Sequence, residues 1–321
     1  MANMRAIRTR IKSVQSTQQI TKAMKMVAVA KLRRTQSGMA AMRLFAEKSQ
    51  EILDTLLAGD AQYDNPFLTP RAEVRRVCYV LFVGNRGLCG IYNSAVLRYL
   101  EERLHQDGRT CSVVICGRWG SEVFAHSALP IVHTFPDMSD TPTMEQALEL
   151  SEYLKRMYLS GEADEIHLVY QHYRSVLQQM PTALQLLPAA PEAKNEAAND
   201  YLFEPDQAAI LENVMQLYLN NTVYAVMLEA KTGEHAARMT AMNTATDATA
   251  ELIDELRLKL NRARQNAITT EISEIVGGAS ALKNAKNRFV RQTALPGCKT
   301  RLQKEDSYGT RHRHKGHRPG R

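Results

Sequence analysis

The chain has 321 residues, 44% of them hydrophobic, which suffices for two average domains or one elongated assembly. Its five cysteines include no CxxC pair, which argues against a disulfide scaffold or a zinc knuckle, and no apolar run reaches the ~18–20 residues of a membrane-spanning helix. The net charge of +7 is concentrated in residues 283–321, which hold 12 Lys or Arg against two acidic residues, a charge of +10, so the other 282 residues carry −3. We therefore expect a soluble or peripheral protein of a reducing compartment, without a metal site.

Proline is absent from two long arms of the chain, residues 1–65 and 206–295. Because proline interrupts helix interiors, these arms predict two very long helices. In the first arm apolar residues recur every three or four positions from Met4 onward, which defines one face of a helix. We assign this N-terminal helix to residues 1–60.

The middle of the chain is typical of an α/β domain, which we assign to residues 74–188. Short apolar runs of strand length alternate with helical segments, an order that predicts a Rossmann-like fold with a mostly parallel sheet. The predicted strands are 77–83, 111–116, 131–135 and 165–172, the predicted helices are 92–105 and 144–159, and residues 180–187 are a candidate antiparallel edge strand. His167 and His172, on or next to a predicted strand, are interpreted as structural.

A glycine-rich loop follows the first predicted strand and is the strongest candidate for chemistry, since such loops cradle phosphates. Its glycines recur at every third position, which matches neither the P-loop nor the dinucleotide-binding pattern. Nucleotide binding stays open as an alternative beside the interpretation favoured here, a tight structural turn. Cys89, inside the loop, is either a reactive thiol or, as we favour, a small buried side chain. The structural motif comprises Gly84, Arg86, Gly87, Cys89 and Gly90.

The second arm begins after Pro205, with Asp206 as a candidate N-cap. We assign its helix to residues 207–282, with possible fraying near Gly233, and residues 189–206 to a linker and foot. Helices of this length need a partner along their apolar seam, and the simplest partner is the other arm, packed antiparallel. Basic residues on the first arm raise the alternative of a nucleic-acid-binding coiled coil, although aromatic residues for stacking are missing there before Phe45.

Three parts of the sequence resemble the gamma chain, or central stalk, of the F-type ATP synthases. They are IRTRIKSV with residues 17–28, GNRGLCGIYN at 84–93, and ARMTAM at 237–242 with residues 245–247, 261–265 and 268–279. The resemblance covers about residues 1–282. It implies an antiparallel coiled coil of the terminal helices with the α/β domain at its base.

The resemblance also implies a function: a rotary subunit without an active site or cofactor of its own, which couples ion-driven rotation to the nucleotide sites of a catalytic ring. The implied partners are three α and three β subunits, the epsilon subunit and the membrane rotor c-ring, with no specific nucleic acid. Membrane contact would occur only through the complex, on the cytoplasmic face of a bacterial inner membrane. A nucleotide-binding α/β enzyme, or nucleic-acid binding through the basic tail, remains the alternative.

Residues at the positions of the family's motifs are candidates for contact with partner subunits, against the alternatives of coil packing or a solvated face. For the catalytic ring these are Met24, Arg238, Arg264, Gln265 and Thr269, with Lys31, Arg33 and Arg34 as weaker candidates for acidic β-subunit surfaces. For the rotor ring, the foot segment comprises Tyr201, Leu202, Phe203 and Glu204.

Departures from the family pattern qualify these expectations. Asn243 stands where Lys is common and Thr270 where Gln is common, and no cysteine pair is inserted between residues 189 and 210, unlike the redox-switched chloroplast type. The family motif starts within a few residues of Met1, so we expect no transit peptide. The basic tail, 283–321, is predicted to be disordered. It is either a neutral extension or, alternatively, a brake on rotation or a contact with anionic surfaces.

Overall fold

A computed structural model describes residues 2–57, 65–124, 129–189 and 207–293. Its helices and strands, in chain order, are α1 (Ala2–Leu57), β1 (Arg76–Phe82), α2 (Tyr92–Gln106), β2 (Thr110–Cys116), α3 (Arg118–Phe124), β3 (Ile131–Phe135), α4 (Met144–Leu159), β4 (Glu165–Tyr173), β5 (Gln179–Leu187) and α5 (Gln207–Thr293). The chain divides into two units, and α5 belongs to both: its proximal part, 207–258, lies in the unit Arg5–Leu258, and its distal part starts at Lys259.

The five strands form one sheet in the order β3-β2-β1-β4-β5. The pairs β1–β2, β1–β4 and β2–β3 are parallel, while β4 and β5 are antiparallel. The central strand β1 is buried on both faces, since Val77 to Phe82 are all inaccessible to solvent or nearly so, which explains its continuous apolar run. The predicted mostly parallel sheet with an antiparallel edge strand is confirmed.

Each face of the sheet is covered by helices. On one face α2 packs onto β1 and β4, and its Val96 and Leu100 lie in the core on this face. On the other face α4 and proximal α5 share a continuous core with the end of α1, which contributes Leu53 and Leu56. Proximal α5 supplies Met215, Leu219, Val223 and Met227 to this core. The α/β domain therefore folds around the terminal helices and is not a separate body attached to them.

Helices α1 and α5 run antiparallel, as predicted. The hydroxyl of Thr246 donates to the hydroxyl of Thr21 over 2.9 Å, and Gly38 lies against Leu228. A residue further along α1 therefore contacts an earlier residue of α5. The positions facing the seam are small or aliphatic, with Val14, Ala28 and Leu32 of α1 buried. A coiled coil is stabilised by such a continuous apolar seam.

Helix α5 departs from the prediction at two places. It continues to Thr293. The shaft helix was predicted to end at 282 and the disordered tail to begin at 283, so the prediction for residues 283–293 is corrected to helix. Residues 279–286, directly after the glycine pair 277–278, contain three Ala and two Lys, both good helix formers, which outweigh the glycines. Gly233 lies inside the helix and is buried, so the expected fraying is also wrong. The rest of the tail and the foot residues Tyr201–Glu204 lie outside the described residues.

Asp164 fixes the segment that leads from α1 into the sheet. Its carboxylate accepts hydrogen bonds from the backbone N–H groups of Arg75 (3.0 Å) and Arg76 (2.8 Å) and from the side chain of Arg71 (2.7 Å). Burial alone raises the pKa of this carboxyl, but the hydrogen bonds and the Arg76 guanidinium outweigh burial and lower the pKa from 3.8 to about 2.

The Asp164→Asn variant should lose stability in a pH-dependent way. Because the folded-state pKa is depressed, the ionised carboxylate stabilises the fold above pH 4, by about 2 kcal/mol, and this contribution is lost as pH falls towards 2. Urea unfolding at pH 7 should show the full difference from wild type, and unfolding at pH 3 a smaller one. Exposed Asp254, changed to Asn, should leave stability within about 0.5 kcal/mol. A difference that is constant with pH would contradict this account.

Among the described residues, no helix combines the length and the hydrophobicity needed to cross a bilayer.

Candidate functional site: the glycine loop on the shaft helix

The glycine loop, residues 84–90, packs directly against α5. A Cβ atom on Gly84 would lie 2.9 Å from Cδ of Glu234 and 3.0 Å from its Oε1, closer than carbon side chains approach. The backbone N–H of Gly84 donates to Asn93 Oδ1 (2.9 Å) at the start of α2. Glycine is required at position 84 because the helix and its carboxylate leave no room for a side chain.

Arg238 connects α5 to the far side of the same loop. Its Nη2 donates to the carbonyl oxygens of Arg86 (3.1 Å) and Gly87 (3.4 Å), and to Glu234 Oε1 at 2.7 Å. Only 12% of the Arg238 side chain is exposed. Arg238 was predicted to contact the catalytic ring; within the chain, its hydrogen bonds join the loop to the helix.

The structural reason for glycine differs among the three glycine positions of the loop. Gly90 has φ +59°, a left-handed conformation that favours glycine, and the neighbouring Leu88 has φ 61°. A Cβ on Gly87 would meet no heavy atom within 4 Å, so a side chain would fit at this position. What Gly87 contributes is its carbonyl oxygen, which accepts from Arg238. Cys89 is buried, and burial raises the pKa of its thiol, which agrees with the small structural side chain favoured from the sequence.

Glu234 lies at the centre of a buried charge cluster on α5. Its Oε2 accepts from Lys231 Nζ at 2.8 Å and its Oε1 from Arg238, and the side chains of Glu234 and Lys231 are 2% and 3% exposed. Burial raises the pKa of the Glu234 carboxyl, but the charges of Lys231 and Arg238 outweigh burial and lower it. The carboxylate is therefore ionised at neutral pH and paired on both oxygens.

Further contacts join the α/β domain to α5 next to the loop. The hydroxyl of Tyr92 donates to the carbonyl of Ala230 (2.6 Å), and its ring lies 3.2 Å from where a Cβ on Gly233 would be. The carboxylate of Glu229 accepts from the backbone N–H of Tyr173 (2.9 Å) at the end of β4. Gly233 therefore lets the ring of Tyr92 approach the helix backbone.

Helix α1 joins the α/β domain through polar side chains. Lys31 Nζ donates to Asp140 Oδ2 over 2.5 Å, and Gln36 Nε2 donates to the Tyr173 hydroxyl over 2.8 Å. The imidazole of His235 on α5 lies 2.8 Å from the carbonyl of Asp140, and burial lowers the pKa of this histidine. Lys31, a weaker candidate for partner contact, is thus engaged within the chain.

This arrangement does not suit phosphate binding. The loop carbonyls of Arg86 and Gly87 face Arg238, and the anionic carboxylate of Glu234 lies against Gly84, where it would repel a phosphate. The geometry supports the structural interpretation of the loop, in which the loop joins a sheet to a helix.

The remaining candidates lie apart from the loop. Met24 is half-buried on α1, while Arg33 and Arg34 are exposed on the same helix. Arg264, Gln265 and Thr269 are all exposed on distal α5, where the Thr269 hydroxyl donates to the Gln265 carbonyl over 3.0 Å. Asn243, where the family commonly has Lys, accepts a hydrogen bond of 2.5 Å from Lys25 of α1.

Comparison with known proteins decides the family. The model of the ATP synthase family described as "ATP synthase" matches residues 3–282. The ATP synthase gamma chain of Moorella thermoacetica is 46% identical over 283 residues, which cover 88% of this chain and all of the relative; that of Chloroherpeton thalassium is 40% identical, with 89% and 100% covered. The chain belongs to the ATP synthase gamma chain family.

Solved structures agree with this gamma-family fold. A chain of the Euglena gracilis mitochondrial ATP synthase, from a structure of OSCP, F1 and c-ring, superposes with a TM-score of 0.62 at 21% identity, covering 96% of this chain and 99% of that one. A chain from the central stalk and c-ring of the Tetrahymena thermophila mitochondrial enzyme gives 0.51 at 23% identity, with 70% and 99% covered. At such identities these matches concern the fold.

Glu234, Lys231 and Asn93 are site residues that the sequence interpretation missed. The signal was present: Lys231, Glu234 and Arg238 are spaced by three and four residues, which places alternating charges on one face of a helix. Such a pattern is usually a solvated face. Only the position of the glycine loop shows that here it is buried.

Proposed function

We propose that this gamma-family chain is the rotary central stalk of an F-type ATP synthase and has no catalytic site of its own. The observation that carries the proposal is the surface of distal α5. Ile268, Ile272 and Ile275 recur at helical spacing and are 49%, 56% and 70% exposed. An apolar face of this kind on a helix is the mark of a surface that contacts another protein.

The proposed partners are a ring of three α and three β subunits around the coiled coil, and the epsilon subunit and c-ring at the α/β domain. Support comes from the gamma-chain relatives and from the solved assemblies that contain chains of this fold. The complex would lie on the cytoplasmic face of a bacterial inner membrane. The chain would meet the membrane only through the complex.

The mechanism follows from symmetry. One asymmetric shaft cannot present the same side chains to three equivalent catalytic subunits at once, so each orientation stabilises a different set of open and closed nucleotide sites. The difference in contact free energy between orientations is what couples rotation to catalysis. The chemistry of ATP then stays on the partner subunits.

Within this proposal, Arg264, Gln265 and Thr269 contact the β subunits from distal α5, and Met24 lies near the same engagement on α1. Arg33 and Arg34 are exposed and free to approach acidic β-subunit surfaces. Arg238 is proposed to act from inside the chain, since its guanidinium is held by the glycine loop. Tyr201, Leu202, Phe203 and Glu204 are proposed as the contact with the rotor ring.

The proposal is tested by reconstitution. The purified chain is mixed with the ATP synthase α and β subunits of an organism that has a related gamma chain. The mixture should form a complex that elutes as one species and hydrolyses ATP. Attachment of a bead to the α/β domain should then reveal ATP-driven rotation. Absence of a stable complex, or hydrolysis with a bead that does not rotate, would overturn the proposal.

A variant with Arg264, Gln265 and Thr269 all changed to Ala should lower ATP hydrolysis by the complex about tenfold, because three polar contacts made by one helix face are removed together. Its helix content should be unchanged, since Ala is a good helix former. Arg257, an exposed residue of α5 that pairs with Asp254, serves as the control when changed to Ala. Equal rates for the triple variant and the control would refute the assigned contacts.

A further inference from the structure

The cluster at Glu234 has a structure that stability alone does not explain. A buried ion pair gains little over apolar packing because both charges lose their hydration. Here one buried carboxylate pairs with two cations and lies in van der Waals contact with Gly84. What the cluster provides is a defined geometry between a loop and a helix.

The hydrogen bonds show which parts are joined. Arg238 is the only residue of the cluster that reaches the carbonyls of the loop among the described contacts, and Glu234 fixes its guanidinium by a 2.7 Å bond one helical turn away. Without the Glu234 carboxylate, Arg238 and Lys231 would repel each other on one face of α5. The guanidinium would then no longer be held on the carbonyls of Arg86 and Gly87.

Other links between the α/β domain and α5 include hydrogen bonds at Tyr92, Glu229, Ser151 and Lys155, and the apolar core that α5 shares with α4. The loop contact is different, since it combines a close steric contact on one side with a fixed cation on the other. A joint held from two sides resists rotation about the helix axis better than one held at a single point, because close-packed contacts transmit strain.

We infer that Glu234 is a positioning residue for rotary coupling: acting through Arg238, it holds the glycine loop on α5, so that the α/β domain and the shaft turn as one stiff body. This inference rests on the proposed function. It concerns the stiffness of the joint and not the binding of the catalytic ring.

The test uses the reconstituted complex with the catalytic ring fixed to a surface. A bead is attached through a cysteine introduced at Leu177, which is 87% exposed on the α/β domain, after Cys111 and Cys298 have been changed to Ser. During pauses between ATP turnovers, the angular variance of the bead reports the compliance between the α/β domain and the ring. For Glu234→Gln we expect the variance to rise about twofold while ATP hydrolysis stays within about twofold of wild type.

Asp164→Asn is the matched control. It also neutralises a buried carboxylate held by arginines, but its partners belong to the segment that leads into β1 and to the first residue of β1, and not to α5. We expect it to lower stability and leave the angular variance unchanged. Equal variance for Glu234→Gln and wild type, or an equal rise for Asp164→Asn, would overturn the inference.

A reversible disulfide between the loop and α5 should restore the stiffness that Glu234→Gln removes. A Cβ on Gly90 would lie 4.0 Å from Cβ of Ala241, within the range of a disulfide, so the pair Gly90→Cys and Ala241→Cys joins the loop to α5 covalently once Cys89 is changed to Ala. The left-handed φ at position 90 is strained for a residue with a side chain, so the oxidised and reduced forms of the same variant are compared. Oxidation should return the variance of Glu234→Gln to the wild-type value, and reduction should raise it again. No change on oxidation would show that the loop contact does not set the stiffness.

Arg238→Lys provides the second variant. It keeps a positive charge on α5, but a lysine side chain is one atom shorter than the one that carries Nη2 of Arg238 to both loop carbonyls, so the same rise in variance is expected even if Glu234→Gln fails to fold. A wild-type variance here would also count against the inference. Failure of the wild-type chain to form a rotating complex would instead overturn the proposed function, so the two failures are distinguishable.

Discussion

Gly117→Ala should destabilise the chain by roughly 3 kcal/mol or more. Gly117 follows β2 with φ +122°, a conformation that side chains rarely adopt. An added Cβ would lie 2.2 Å from the carbonyl oxygen of Val83, which is backbone and cannot rotate away. Relief would require β1 and β2 to separate at their carboxyl ends, where Val83 N–H donates to the Cys116 carbonyl (2.9 Å). Urea unfolding followed by circular dichroism measures the loss.

Gly108→Ala is the control for this substitution. Gly108 lies near the other end of β2, just before the strand begins, and a Cβ there would meet no heavy atom within 4 Å. Its effect should stay within about 1 kcal/mol, and its sign depends on the unfolded chain. Similar midpoints for the two variants would show that the backbone contact at Gly117 is not the cause of the loss.

Gly84→Ala should cost about 2 kcal/mol or more and disturb the loop, while Gly87→Ala in the same loop should be nearly neutral. The Cβ at position 84 meets the carboxylate of Glu234, which can move away only by breaking its ion pairs with Lys231 and Arg238. At position 87 there is open space. Comparing the two substitutions therefore separates the effect of a steric clash from the effect of replacing a motif glycine where a side chain fits.

Both variants are compared by urea unfolding and by the reactivity of Cys89 with a small thiol reagent. Cys89 is buried, so a displaced loop in Gly84→Ala should make it react faster, whereas Gly87→Ala should keep the slow wild-type rate. Two equally stable variants with equal reactivity would mean that α5 does not constrain the loop.

The fold was largely predictable because its elements have strong local signals. The absence of proline from both arms predicted α1 and α5, and uninterrupted apolar runs predicted strands buried on both faces, such as β1. Helix α3 was missed because its seven residues are too few to show a helical period. The end of α5 was placed too early because the resemblance to the family ends at about residue 282 and the basic tail that follows was taken as disordered.

The site was predictable only in part. The spacing of the loop glycines correctly favoured a structural turn. It could not show which glycine is needed for its left-handed conformation and which is needed because a side chain would clash. Arg238 was identified by its position in a family motif, but its partners, Arg86 and Gly87, are more than 150 residues away in the sequence. Contacts at such separation depend on how the sheet is placed against α5, and local patterns contain no information about that.

The hydrogen bond between Thr21 and Thr246 has a consequence for how the chain is made. Its two residues are 225 positions apart, so α1 cannot find its partner until most of the polypeptide has left the ribosome. At ~5–20 residues per second this takes roughly 10–50 s, during which the apolar seam of α1 is uncovered. Until α5 emerges, the seam of α1 can be covered only by other parts of the growing chain or by other molecules. The many Lys and Arg residues of α1 help to keep it soluble during that wait.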